Sequence, residues 1–121
     1  MATELSTEPE LHIVQIRYHG GERASPESDP IEAYAASGAY DAFATTVLDP
    51  VFPEERRDAE PTNNLGLIGG EIAAAVAAGR GDGKPVLVVG GNCAVVPGVV
   101  GGLQEAHGAQ GAQGATGRRA P

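Results

Sequence analysis

The segment PVLVVGGNCAVVPGVVGGL, Pro85 to Leu103, constrains the fold more than any other part of this chain. Pro85–Val89 is an unbroken apolar run, the pattern of a strand covered on both faces. Gly90 and Gly91 follow at once, and Ala94 to His107 then predicts a helix. Pro97 falls in the first turn of that helix, where a missing N–H costs little. Gly98 and Gly102 sit one turn apart and predict a close helix contact. A buried strand running through a glycine turn into a helix belongs to the α/β class. Such a unit presents side chains at the carboxyl edge of a parallel sheet, where α/β proteins place their sites.

The upstream sequence supplies the other elements. Leu11–Tyr18 (LHIVQIRY) reads as a strand that Gly20-Gly21 ends. Asp29-Pro30-Ile31-Glu32 reads as a helix start, with Asp29 as cap and Pro30 in the first helical position. Gly38 is its stop, and Thr45–Asp49 is a short strand. Pro50–Thr62 holds three prolines and a run of alternating acids and arginines, which reads as a solvated loop. A second helix is predicted from Asn63 or Asn64 to Ala78. Leu65, Ile68, Ile72 and Val76 share one face of it, and Gly79 lies just past its end. Residues 1–10 read as a flexible lead-in and residues 11–107 as the folded part. Residues 108–121 (GAQGAQGATGRRAP) have no large apolar residue and read as a disordered tail.

Charge and composition narrow the function. The chain has 121 residues with 16 acids against 8 bases, a net charge of −8. That balance argues against a nucleic-acid binder, which would show a basic face. No apolar stretch approaches the roughly 18–20 residues that span a bilayer, and no signal peptide is visible, so no membrane partner is expected. A single Cys excludes an internal disulfide framework and suits the reducing cytoplasm. Residues 1–60 hold 13 of the acids and three of the 18 glycines, so chemistry that needs close backbone approach falls in the second half. With 4% aromatics the core must come from Ala, Val, Leu and Ile, which implies marginal stability.

Three readings of Gly90–Cys93 compete on physical grounds. The turn could cradle a phosphate at a helix N-terminus, although no Gly-x-Gly-x-x-Gly and no Gly-Lys-Ser/Thr accompanies it. Cys93 could be a metal ligand or nucleophile, its thiol pKa lowered by the helix dipole. Or the glycines serve tight packing and Cys93 is a small buried hydrophobe.

VLVVGGNCAVVPGVVGGL resembles the first metal-binding motif of the arginase/agmatinase/formiminoglutamase (ureohydrolase) family. There a buried strand runs into Gly-Gly-Asp-His-Ser and a glycine-containing helix. LHIVQIRYHGGE is similar to the first strand and turn of that family, DPIEAYAASGAYDAF to the helix after it, and Asn64–Val89 to the helix and strand before the motif. The resemblance covers roughly residues 10–107, and its chemically specific piece is Gly90–Cys93. It implies a partial three-layer α/β/α domain with a parallel sheet, truncated after about three strands. It also implies two manganese ions in full-length relatives and a small guanidino or amidine substrate.

Gly90 and Gly91 match the glycines of the motif. Asn92 stands where the family has Asp, Cys93 where it has the metal-binding histidine, and Ala94 where it has Ser. Sulfur is softer than imidazole and favours zinc or iron over manganese, so at most one weak metal site is expected, at Cys93. The Asp-x-His-x-Asp motif of the family would fall at Thr116, inside the Gly-Ala-Gln run, and is not there. Nor is the later Ser-x-Asp-x-Asp-x-x-Asp-Pro segment. The change after His107 has the pattern of a shifted reading frame, which predicts an apolar strand followed by Asp-x-His-x-Asp in another downstream frame.

The histidines have separate readings. His12 alternates with Leu11 and Ile13 and is expected to face solvent. His19, beside Gly20-Gly21, sits on the sheet edge where it could meet substrate. His107 suits the negative end of a helix dipole. The alternative to a hydrolase fragment is a non-catalytic interaction module. Relatives of the family assemble into homo-oligomers, and a partial sheet leaves PVLVV as an edge open to pairing.

Overall fold

The structure, a computed structural model, describes residues 8–114. In chain order the elements are β1 (Glu10–Ile16), β2 (Tyr18–His19), β3 (Glu22–Arg23), α1 (Ile31–Ala36), β4 (Ala44–Leu48), α2 (Pro61–Gly81), β5 (Val86–Gly90) and α3 (Val96–Gly114). Single 3-10 turns lie at Pro26–Ser28, Glu54–Arg56 and Cys93–Val95. Among the described residues no helix is long and apolar enough to cross a membrane.

The fold is mixed α/β around a three-stranded parallel sheet of order β4–β1–β5. Central strand β1 places Ile13 between Val47 and Leu87, and Val14 between Leu48 and Val88. Because strand side chains alternate, the two rows face opposite ways. Val14 and Ile16 meet Ile68, Ile72, Ala75 and Val76 of α2 in the larger apolar cluster. Ile72 and Val76 are wholly buried, and each such burial stabilises by roughly 1.5–3 kcal/mol. Leu11 and Ile13 meet Ile31 at the start of α1, with Val89, Tyr40 and Phe43, in a smaller cluster on the other face.

Helices α2 and α3 pack closely, as the Gly98/Gly102 spacing predicts. A Cβ on Gly98 would lie 2.8 Å from the Gly69 carbonyl, and one on Gly102 2.5 Å from the Ala73 carbonyl. The start of α1 differs from its prediction by one position: Pro30 is the cap residue and Ile31 the first helical one, while Asp29 still supplies a side-chain acceptor. The Asp29 carboxylate accepts from the Ile31 N–H at 3.0 Å, and Gly38 closes the segment at φ +83°.

Several expectations are corrected. The first strand ends at Ile16, and Tyr18–His19 instead pairs with Glu22–Arg23 in a hairpin. His12 does not face solvent. It is buried, with Nε2 3.0 Å from the Ala75 carbonyl, while Nδ1 makes no hydrogen bond. The reason is Gly79, whose missing side chain leaves room for the imidazole; a Cβ there would sit 2.5 Å from the ring. Gly79 is therefore an internal packing residue of α2, which runs to Gly81, and not its stop.

Strand β5 is not covered on both faces either. It is an edge strand, and Leu87 is 37% exposed. Phe52, within the loop read as solvated, is the largest fully buried side chain, and its N–H donates to the Tyr18 hydroxyl at 3.2 Å. Finally, α3 continues past His107 to Gly114, a run in which the helix formers Ala and Gln alternate with glycines that disfavour helix. Residues 115–121 of the expected tail and residues 1–7 of the expected lead-in lie outside the described residues.

Candidate functional site at the carboxyl edge of the sheet

The site is built where β5 leaves the sheet. Gly90 and Gly91 adopt φ +92° and +77°, a region that side chains disfavour. A Cβ on Gly90 would collide with the Ile16 carbonyl, and one on Gly91 would lie 2.9 Å from Val95. Both glycines are thus required for the chain to turn hard against β1. Asn92 then caps the turn Cys93–Val95, its side-chain oxygen accepting from the Ala94 N–H at 3.2 Å. Cys93 is a free, exposed thiol rather than a small buried hydrophobe.

The β2–β3 hairpin brings His19 to the same edge. Gly20 turns it at φ +64°, and Gly21 lets it close on α2, where a Cβ would lie 2.7 Å from that of Asn64. Between hairpin, α2 and the Asn92 turn lies an open cleft of about 510 Å³, lined among others by His19, Arg57, Asp58, Thr62, Asn64 and Asn92. His19 and Asn92 therefore share one cleft. Cys93 does not line it, although its neighbours Asn92 and Ala94 do.

The rest of the lining comes from the segment read as a solvated loop. Asn64, buried at the start of α2, clamps Asp58 from both sides. Its oxygen accepts from the Asp58 N–H and its amide donates to the Asp58 carbonyl, each at 2.8 Å. The Asn63 amide donates to the Asp58 carboxylate at 2.6 Å and the Glu60 N–H at 3.2 Å, which together hold that carboxyl below its ordinary range. Arg57 donates twice to Glu54, at 2.8 and 2.9 Å, and once to Glu22 at 3.2 Å. Its guanidinium lies 4.1 Å from the Phe52 ring centroid. The bond to Glu54 is the main cause that raises the Arg57 pKa and lowers that of Glu54. Nearby, Arg17 ties the end of β4 to the start of α1 through Asp49 at 3.2 Å and Glu32 at 3.0 Å.

Sequence reading missed Arg57, Asp58 and Asn64. For Asn64 a signal exists: it sits four residues before Ile68 and eight before Ile72, on the buried stripe of α2. A polar residue at such a position must find partners.

Chemically the cleft offers amide, imidazole, guanidinium and carboxylate groups, with the last two engaged in ion pairs. Among the described residues no three His, Cys, Asp or Glu side chains come together as a metal-holding group. The residues at the Gly90–Cys93 turn do not fit a dimanganese centre. Such a centre needs bridging carboxylates, whereas Asn92 spends its oxygen on the Ala94 N–H and Cys93 offers one soft donor. Comparison with known proteins finds no family model that matches the chain and no curated protein that matches it.

Proposed function

We propose that residues 10–107 correspond to the first part of an arginase-type α/β domain. The parent chemistry is hydrolysis of a non-peptide carbon–nitrogen bond in a linear amidine such as arginine, agmatine or formiminoglutamate. On this reading the 121 residues do not perform that hydrolysis by themselves, work in the cytoplasm, and hold at most one weakly bound ion at Cys93. The reading is supported chiefly by the turn after β5. Two consecutive glycines at positive φ carry Asn92 and Cys93 to the carboxyl edge of a parallel sheet, beside the hairpin that bears His19. In the family the same turn delivers the first metal ligand.

Metal analysis of the purified chain and of its Cys93→Ala variant tests the reading, with release of urea or ammonia from arginine and agmatine as the activity assay. The expected result is substoichiometric metal that Cys93→Ala abolishes, and no turnover. Two tightly held manganese ions per chain, or turnover above background, would overturn it.

A further inference from the structure

Among the described residues, nothing pairs with the side of β5 that faces away from β1, which leaves an open lane. The Pro85 carbonyl accepts from the His12 N–H at 2.9 Å, and the main-chain groups of a strand alternate in direction. The N–H and C=O groups of Val86 and Val88 therefore point into the lane. Helix α3 roofs it. On one flank of α2, Glu71, Ala74 and Ala75 border Leu48 and Asp49 at the end of β4. On the opposite flank Gly69, Ala73 and Val76 border Gly98 and Gly102 of α3. Helix α3 thus lies on the β5 side of α2, with Val99 packed on the cluster that includes Val86 and Val88.

Val96, Val100 and Leu103 occupy the flank of α3 opposite those glycines. They are 54%, 44% and 43% exposed, an apolar stripe above the lane. Residues 85–104 contain no charged side chain, in a chain whose net charge is −8. Unpaired strand groups, an apolar roof and a floor without charge match an uncharged extended strand. They would leave a charged one desolvated and unpaired.

We propose that this lane takes up, by strand addition to β5, an uncharged extended segment of a partner protein. A second copy of this chain fits poorly there. Brought edge to edge, it would carry its own α3 over the same lane, and two helices of about 10 Å diameter cannot both lie over neighbouring strands about 4.8 Å apart. The inference does not depend on the ureohydrolase reading.

The probe is an acetylated, amidated peptide copying Pro85–Asn92, which is uncharged and carries strand chemistry without a helix. It is titrated into the isotope-labelled 121-residue chain. The amide resonances of Val86, Val88 and Gly90 should shift saturably. Val100→Glu, on the exposed flank, should weaken binding about tenfold or more while leaving the melting temperature unchanged. Val88→Pro, which removes a lane-facing N–H, should weaken binding as much while also lowering the melting temperature, because Val88 packs on the core. A peptide with glutamates at the positions copying Val86 and Val88 should bind as weakly. No saturable shift, shifts confined to the α1 face, or unaltered binding by Val100→Glu would overturn the proposal. So would light scattering that shows a dimer whose formation blocks the peptide.

Discussion

At the scale of single residues, the glycines and one asparagine decide where everything else can go. Gly90 sits at φ +92° against the Ile16 carbonyl. Gly90→Ala should cost about 1–3 kcal/mol from backbone strain alone, read as a lower urea midpoint. Asn64→Ala should cost about 1–2 kcal/mol, because it releases both hydrogen bonds to the Asp58 backbone. Loss of the clamp should also show as faster amide exchange at Asp58. The Asp58 carboxyl itself is depressed by the Asn63 amide first and by the Glu60 N–H second. Its contribution to stability is therefore present above the unfolded carboxylate range near about pH 4. It is lost as pH falls through the lower folded value. Urea midpoints measured across that range should drop in the native chain and drop less in Asp58→Asn. The partners of Asp58 were not legible in the sequence, since Glu54–Glu60 carries the alternating charge pattern of a solvated loop. What makes it more than a loop is Phe52, whose burial anchors the segment and whose ring Arg57 covers.

At the scale of elements, the close contact of α2 and α3 was legible because only glycine spacing was needed to see it. Adding a methyl at Gly98 or Gly102 pushes against the backbone of α2 rather than against a movable side chain. Either substitution to Ala should destabilise by about 1–3 kcal/mol, and the pair should be non-additive, since both act on one interface. A thermal or urea melt of the two single variants and the double variant checks this. Gly79 shows the opposite outcome. Its place near a run of charged and glycine residues looks like a helix stop, yet α2 continues and Gly79 makes room for His12. A pattern read along one helix cannot report a side chain arriving from a strand 60-odd positions earlier, as His12 does where it meets Ala75 (|i−j|=63). The same limit hid the coverage of β5. An apolar run is compatible with burial on both faces, whereas part of one face stays open. The open edge itself was expected for PVLVV, and among the described residues the sheet order places β5 there.

At the scale of the whole molecule, the two sheet faces are unequal. The α2–α3 side is packed by two long helices, while the α1 side is covered by one six-residue helix and the residues after it. A groove of about 750 Å³ remains there, bordered by Tyr34, Tyr40, Phe43, Leu87 and Val89. Leu87→Thr, at its rim, should cost about 1 kcal/mol, read as a lower urea midpoint, since Leu87 is only 37% exposed. The α/β class and the strand–turn–helix unit at the carboxyl edge were readable from residue order, because glycine and apolar runs mark them locally. The cleft was not, because its walls come from segments far apart in the chain. The strand order carries one more consequence. β1 leaves the ribosome before β4 and β5 but lies between them in the sheet, so one of its two neighbours is synthesised only after α2 is complete. At about 5–20 residues per second that interval lasts seconds. Throughout it the most deeply buried strand of the finished sheet has an unpaired side, and a chaperone that captures nascent chains would find its target in β1.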